Sequence, residues 1–512
     1  MHRILPPERL WPLHSVASTR RIEEETAGAL APHTLMGRAG TAIARLTMAL
    51  APHAQRIWIA AGPGNNGGDG LEAAGQLQAA GKQVVVTWLG ALEGDRRAPA
   101  DALVARQRAV DAGATIIDHA PFSSQTFDIA IDALLGIGAT RAPSGQMAEV
   151  AARLNSGACP VLAVDLPSGL DGDTGRRLGA ACVRADHTLA LLTLKPGLFT
   201  ASGRDQTGEV WFDALGVPEE STAEAWLGGS KAPASLRLHA QHKGSFGDVA
   251  VIGGAAGMVG AALLAARAAH AAGAGRVFVE WLHAPDAGNF DVDGLHPELM
   301  MRSGWSQCEP SVLAKATVVC GCGGDDAVRD RLPRLLSFAG RLLIDADALN
   351  ALARDSQLMA QLRSRSQRSR ATILTPHPLE AARLLACDTA AVQSDRLSAA
   401  RALTDLTGCT VVLKGSGSVV ASPGLTPHIN GTGNGSLASG GTGDVLAGWI
   451  GGTWAQTEWR GDADEPGIAF AAASQAVADH GAAAEPLRPG ALPASELIRR
   501  LHDNLRHGRP GG

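Results

Sequence analysis

Short apolar runs alternate with stretches of helical period along most of the chain. Ile57-Trp58-Ile59-Ala60-Ala61 reads as a strand, Gln83–Leu89 as the next, and the residues from about Leu71 to Ala80 as a helix between them. The turn that opens this βαβ unit is Gly62-Pro63-Gly64-Asn65-Asn66-Gly67-Gly68-Asp69-Gly70. Further strands are expected to end at Asp132, at Asp165 and near Thr193, each before a turn with Gly or Pro. Ligands of open α/β sheets sit beyond the carboxyl ends of strands, so Asp69, Asp132 and Asp165 should share one sheet edge. The alternation lapses between Pro218 and Leu238, where Glu219–Thr222 and Gly228–Pro233 read as linker. It then restarts, with strands at Asp248–Gly253, Arg276–Glu280, Thr317–Cys320, Arg341–Asp345, Ala371–Leu374 and Thr410–Leu413. Helices are expected at Gly260–Ala272, Leu379–Leu385, Asp395–Thr407, Asp444–Thr453 and Ile468–Gly481. The pattern predicts two α/β domains, 1–225 and 226–512, with no short-period repeat.

Composition narrows the function classes. The chain has 512 residues, 45% of them hydrophobic and 19% charged, which excludes disorder over most of its length. A net charge of -5 gives no basic excess of the kind that binds nucleic acid or anionic membrane. The arginine run Arg363–Arg370 reads as a solvated linker. The most apolar window, Ala255–Val279, is interrupted by Arg267, His270 and several glycines, so it is expected to be a buried helix and strand rather than a membrane span. Prolines in Met1–Pro7 break any signal-peptide core. The seven cysteines include no C-x-x-C, and the Cys320/Cys322 pair lacks a second knuckle for zinc, so reduced thiols in a cytoplasmic protein are expected. Glycine, at 62, is abundant and clusters at strand ends, where it could hold phosphates; tyrosine is absent.

In the first half, the glycines of Asn65–Gly70 remove Cβ atoms, so backbone N–H groups could approach an anion, aided by the following helix N-terminus. The loop is neither a Walker A sequence nor a standard dinucleotide fingerprint, and a tight turn is the plainer alternative. Two further strand ends carry an acid before a glycine turn: Asp132-Ala133-Leu134-Leu135-Gly136-Ile137-Gly138 and Asp165-Leu166-Pro167-Ser168-Gly169. Their oxygens could hold a hard cation or do acid/base work. Asp171 and Asp173 read as turn chemistry.

These segments resemble the YjeF N-terminal family, epimerases of the hydrated nicotinamide nucleotides NADHX and NADPHX. The likeness covers roughly Leu13–Leu215 and includes the Leu35–Gly40 segment. It implies a Rossmann-like three-layer domain and a substrate site at Asn65, Asn66, Gly67, Gly68, Asp69, at Gly136, Ile137, Gly138, Ala139, Thr140, Arg141, Ala142, and at Asp165. It also implies a potassium ion on Asn66, Asp132 and Ser168. Asp165 is the expected acid/base residue. Lys195 resembles the family's lysine, and it either assists or is a solvated strand-end charge.

In the second half, Asn430–Asp444 is a glycine-rich stretch opening a helix at Val445, with Gly440–Gly443 as anion donors and Asp444 placed to accept a hydroxyl proton. Lys414-Gly415-Ser416-Gly417-Ser418 follows a strand and suits nucleotide phosphates. Thr375–Glu380 fixes His377 between prolines, although a lone histidine is more often structural. Asp345 and Asp347 stand at another strand end. Glycine loop, base and lysine together suggest a ribokinase-like phosphoryl-transfer fold.

The finer resemblance, over roughly Leu238–Leu505, is to the YjeF C-terminal family of NAD(P)H-hydrate dehydratases. It implies that Ala261, Gly323, His377 and Asp444 contact the hydrated nucleotide. It further implies that Lys414, Gly415, Ser416, Gly417, Ser418 and Gly443 contact ADP as co-substrate, with Mg²⁺. The family's G-P-G-L-G turn is here Gly321-Cys322-Gly323-Gly324-Asp325, and Ser418 stands where Thr is common. The whole chain is thus expected to be a cytoplasmic, homo-oligomeric repair enzyme with catalytic Asp165 and Asp444. It would act on small molecules, with neither nucleic acid nor membrane as partner. The rival readings are a small-molecule kinase with a nucleotide-binding accessory domain, and a first domain that serves as a binding scaffold.

Overall fold

A computed structural model describes residues 1–90, 98–219, 222–229, 237–282, 292–458, 465–485 and 490–507. Parts of both expected linkers, residues 220–221 and 230–233, lie outside the described residues. The chain divides into two compact units, Met1–Leu227 and Gly228–Gly512.

In the first unit the elements run β1 (His2–Arg3), β2 (Trp11–Leu13), α1 (Val16–Ala29), α2 (Thr34–Leu50), β3 (Arg56–Ala61), α3 (Asn65–Ala79), β4 (Gln83–Trp88), α4 (Ala100–Asp111), β5 (Thr115–Ile117), β6 (Ile129–Ala133), α5 (Gln146–Ser156), β7 (Val161–Val164), β8 (His187–Leu191), α6 (Gly203–Thr207), β9 (Glu209–Asp213) and β10 (Ala225–Leu227). One sheet has the order β1-β9-β8-β7-β6-β3-β4-β5. Its pairs are parallel except β1 with β9. Alternate residues of β3 bury on opposite faces. Ile57, Ile59 and Ala61 pack with α2, α3 and α4, whereas Trp58 and Ala60 pack with Val150, Ala151 and Leu154 of α5. Three layers result. The strand order reverses between β3 and β6, the switch point at which such sheets open a crevice.

The helix after β3 begins at Asn65, not near Leu71 as the glycines suggested. Glycines 67, 68 and 70 therefore lie inside a helix, and packing is the reason. A Cβ on Gly67 would stand 2.0 Å from the Gly62 carbonyl oxygen, and one on Gly70 would stand 2.7 Å from Ala133 Cβ. The missing side chains let α3 lie against the sheet, so local propensity yields to tertiary contact.

The second unit continues with β11 (Asp248–Gly253), α7 (Val259–Ala271), β12 (Arg276–Trp281), β13 (Met300–Met301), α8 (Pro310–Leu313), β14 (Thr317–Cys320), α9 (Leu332–Phe338), β15 (Arg341–Ile344), α10 (Ala346–Arg354), α11 (Ser356–Gln367), β16 (Thr372–Leu374), α12 (Pro378–Leu384), α13 (Thr389–Ser394), α14 (Arg396–Thr407), β17 (Thr410–Leu413), β18 (Val419–Ala421), β19 (His428–Ile429), α15 (Thr442–Ala455), α16 (Glu465–Ala482) and α17 (Ala494–His507). Strands β13-β12-β11-β14-β15-β16-β17 are parallel neighbours, with β18 and β19 added antiparallel. Val249, Val251, Val277, Val319 and Leu343 join α7, α15 and α16 in one core, while the alternate positions Ala250, Ile252, Val318 and Leu342 are equally buried. Helices α7 and α15 approach closely because Gly448 and Gly452 face the Ala265 and Ala269 carbonyls. The glycine excess thus records close packing as well as strand-end turns.

The arginine run is not a solvated linker. Its first half ends α11, and Arg365 is fully buried, donating to Thr372 Oγ1 at 2.8 Å and to the carbonyls of Ala339, Gly340 and Ala371. Arg363 and Arg370 likewise cap the Leu406 and Ser337 carbonyls. Guanidinium donors here serve strand- and helix-end carbonyls. Among the described residues no helix is long and apolar enough to cross a membrane, and all seven cysteines are unbridged. Ala255–Val279 forms α7 and most of β12.

Candidate active sites

The first unit holds a cavity of about 600 Å³ beyond the carboxyl ends of β3, β6 and β7. Asn65, Asn66 and Asp69 from α3 line it, with Gly136–Ala139 after β6, and Asp165 and Lys195. Thr140 and Arg141 are instead exposed, and Ala142 is not among the lining residues. Gly67 and Gly68 do not line the cavity either; they are buried in packing.

Asp165 adopts φ 66°, a left-handed conformation that costs a non-glycine residue about 1–3 kcal/mol and marks functional turns. It is held there by its N–H donating to Leu189 O at 2.8 Å and by Leu191 N–H donating to its Oδ1 at 3.2 Å. The Lys195 ammonium also donates to Asp165 Oδ1, and to Leu191 O at 2.8 Å. Lys195 is 0% exposed. The alternative of a solvated strand-end charge is therefore overturned, because the ammonium is drawn inside by a carboxylate 30 residues earlier. Asp69 faces the same cavity, and burial, then the charges of Asp165, Glu23 and Glu72, push its carboxyl well above the usual range.

Asp132 is fully buried beneath the cavity. Its carboxylate accepts from Ser168 Oγ at 2.6 Å, Ser168 N at 2.8 Å and Leu134 N at 3.2 Å. Burial raises it to about 6 despite these three donors. Asn66 Oδ1 lies 3.1 Å from where a Gly136 Cβ would stand, so the asparagine fills the space glycine leaves. Asp171 is turn chemistry, as expected, with Asp173 N, Thr174 N and Thr174 Oγ1 on its Oδ1. Asp173 also accepts from Val16 N at 2.7 Å, at the start of α1. Thr19, Arg20, Glu23 and Ala27 of that helix line the cavity. Sequence reading passed over them; only their 19-20-23-27 spacing, one helical face, could have drawn notice.

In the second unit the sheet order reverses between β11 and β14. The turns after these strands meet there: Gly254 N and Ala255 N donate to Cys322 O at 3.0 Å and Gly323 O at 2.7 Å. Gly323, at φ 59°, would bring a Cβ to 2.9 Å from Ala261 Cβ, so Ala261 and Gly323 are neighbours. Lys414 Nζ donates to Asp345 Oδ1 at 2.7 Å, and Thr375 Oγ1 to the same oxygen at 2.8 Å. A Cβ on Gly443 would stand 3.5 Å from the Lys414 ammonium. Gly415–Ser418 closes as a turn through Ser418 Oγ and Gly415. His377 caps α12, its Nδ1 accepting from Leu379 N while the Glu380 carboxylate accepts from the His377 N–H.

Helix α15 starts at Thr442 rather than Val445, with Gly441 as its cap at φ 85°. Asp444 is thus in the first turn, and Gly440 and Gly441 precede the helix. Such a terminus attracts anions through unpaired N–H groups and the helix dipole. His480 supports it, with Nε2 2.9 Å from Thr442 O; burial holds that imidazole down at about 4, so it is neutral and donates. Ligand atoms of Cys322, Asp345 and Asp444 lie within 4.8 Å of one another. Burial and the adjacent Asp345 charge raise Asp444 to about 6. Burial and the two carboxylates keep the Cys322 thiol protonated.

Residues 32–197 match the family model described as YjeF-related protein N-terminus, and residues 249–502 match the NAD(P)H-hydrate dehydratase model. A bifunctional NAD(P)H-hydrate repair enzyme of Escherichia coli (strain K12) is 36% identical over 462 residues, covering 87% of this chain and 85% of that one. One of Leishmania braziliensis is 35% identical over 514 residues, covering 91% and 88%. Among solved structures, an ADP/ATP-dependent NAD(P)H-hydrate dehydratase from Bacillus subtilis, co-crystallised with ATP and Mg²⁺, is 26% identical, with TM-score 0.41, over 53% of this chain and 92% of its own. A ribokinase-like superfamily protein from Enterococcus faecalis V583 is 25% identical, with TM-score 0.42, over 53% and 91%. With both matched segments in one polypeptide and likeness over most of its length, the chain belongs to the family of bifunctional NAD(P)H-hydrate repair enzymes.

Proposed function

We propose that the first unit interconverts the R and S forms of NADHX and NADPHX, and that the second dehydrates the S form to NADH or NADPH at the expense of ADP, giving AMP and phosphate. The observation that carries this reading is that each site sets an aspartate among buried charged partners: Asp165 is paired with Lys195, and Asp444, in the first turn of α15, adjoins the Lys414–Asp345 pair. The cavity of the first unit suits a small-molecule substrate in size.

Dehydration is the harder step, because hydroxide leaves poorly. Asp444 takes the proton of the C6 hydroxyl, and the freed oxygen attacks the terminal phosphoryl group of ADP. The backbone N–H groups at the start of α15 and the ammonium of Lys414 stabilise charge on the shifting phosphoryl oxygens. The ring nitrogen then expels phosphate, and loss of a C5 proton restores the reduced nicotinamide. Mg²⁺, when bound with the nucleotide, supplies charge neutralisation at the phosphates. Asp345 would offer it the hard oxygens it prefers, and the Cys322 thiol would not.

A potassium ion on Asn66, Asp132 and Ser168 fits the donor set of the first unit. The buried Asp132 carboxylate carries neutral donors only, so a monovalent cation would offset its charge. The cytoplasmic location expected from the sequence is part of this proposal. Homo-oligomers, as the resemblance implies, remain part of this proposal.

The test is to incubate the protein with R and S hydrates and ADP or ATP and to follow the return of reduced-nicotinamide absorbance. Recovery from both hydrates is expected. No recovery with either nucleotide would exclude the repair reading and favour a kinase of another small molecule.

A further inference from the structure

Inverting the carbinol carbon C6 of a hydrated nicotinamide requires two proton carriers. One must accept a proton while the other holds one to give. Asp165 suits the first part: it lines the cavity, and its carboxylate is paired with the buried Lys195 ammonium. Lys195 is thereby committed to a standing ion pair. The second carrier must come from another element facing the same space.

Glu23 stands there. It is the half-buried member of Glu23-Glu24-Glu25; its two neighbours are exposed. With Thr19, Arg20 and Ala27 it forms the face of α1 that lines the cavity holding Asp165, Lys195, Asn65 and Asp69. Asn65, which lines the same cavity, is among the groups that act on the Glu23 carboxyl. The helix that presents it is fixed from both sides. Asp173 accepts from Val16 N, Thr19 Oγ1 lies 2.7 Å from Thr193 Oγ1 in a buried contact, and Glu224 accepts from Ser15 and Ser18. So many anchors on one short helix suit a face that must be held in register with a reacting group. The helix precedes residue 32, where the family match begins.

We propose that Glu23 is the proton donor that works opposite Asp165 in epimerisation. This rests on the epimerase reading given above. In the forward direction Asp165 takes the C6 hydroxyl proton, and the C6–O bond becomes a carbonyl as the C6–N1 bond breaks. The bonding pair goes to N1, which takes the proton of Glu23. The open aldehyde turns its other face to N1. Glu23 recovers its proton as N1 attacks, and Asp165 returns the first proton to the oxygen. No oxidant, reductant or water is consumed. Burial, then the negative charge of Asp165, raises the Glu23 carboxyl above its ordinary value, as a donor needs; Lys195, Asn65 and Arg20 pull the other way. Asp69 is another carboxyl lining the cavity that burial pushes up.

The test follows R-to-S exchange by chromatography without ADP, for the full-length wild-type chain, E23Q, E23D and D69N. General acid catalysis contributes roughly 10²–10⁴-fold. E23Q should therefore lower kcat by about 100-fold or more with KM changed by less than about threefold. The wild type should lose activity on the alkaline side as Glu23 loses its proton. E23D should restore that limb and part of the rate, which also guards against a folding defect in E23Q. Wild-type kcat in E23Q, a loss confined to KM, or an alkaline limb that D69N removes and E23Q and E23D leave in place would overturn the assignment. A wild-type chain that fails to speed the exchange would instead overturn the epimerase reading itself.

Discussion

The two units place an aspartate and a lysine at strand ends, yet distribute the charge in opposite ways. In the first, the lysine is spent on the working carboxylate: Lys195 pairs with Asp165. In the second, the lysine is spent on the neighbour: Lys414 pairs with Asp345, while Asp444 is left to be raised to about 6 by burial and by Asp345. An anion held by a buried cation suits reversible exchange of one proton. A carboxyl with a raised pKa is a stronger base once ionised, which suits removal of an alcohol proton during phosphoryl transfer. Partner choice, rather than residue type, separates the two chemistries.

The sharpest way to break this comparison is to remove each acid. D444A should lower dehydration by roughly 10²–10⁴-fold and leave R/S exchange unchanged; D165A should do the reverse. Loss of both activities in either variant would contradict separate sites. Removing the lysines comes next. K195M strands a carboxylate only 8% exposed, so urea unfolding should report a loss of about 3–5 kcal/mol, together with loss of exchange. K414M should cost less stability, since Thr375 Oγ1 still serves Asp345. It should also move the acid limb of dehydration to higher pH, because the Lys414 charge is one of the influences that lower Asp444.

Glycine substitutions test a structural half of the comparison. G67A should destabilise by about 1–3 kcal/mol, as a Cβ would overlap the Gly62 carbonyl. G440A, with open space around its Cβ position, should stay within about 0.5 kcal/mol in thermal unfolding. The pH dependence is milder still near neutrality. Asp444 must be ionised to act, so kcat of dehydration should be flat above, and fall below, about 6 as the carboxyl takes up its proton. A profile with no acid limb would remove Asp444 from the role of base.

Much of this was legible in the sequence. Strands Asp248–Gly253, Thr317–Cys320 and Thr410–Leu413 have the bounds the apolar runs suggested, because a short run closed by Gly or Pro fits a buried parallel strand. Helix starts were less legible. α3 and α15 begin earlier than expected, at Asn65 and Thr442, since glycines that look like loop are tolerated where packing demands a missing side chain. The arginine run misled for a related reason: a charged pattern reads as solvated, but Arg365 finds carbonyl partners contributed by distant strand and helix ends.

The amino-acid order by itself determined the two α/β units, the carboxylates Asp132, Asp165 and Asp345 at strand ends, and the glycine-led start of the helix bearing Asp444. These are local patterns of period and turn chemistry. Tertiary structure alone decided that Lys195 turns inward to Asp165 and Lys414 to Asp345 across 69 residues, and that of three successive glutamates Glu23 faces the cavity. Such pairings depend on which chain segments meet in space, and a buried charge settles only where folding has already brought its partner.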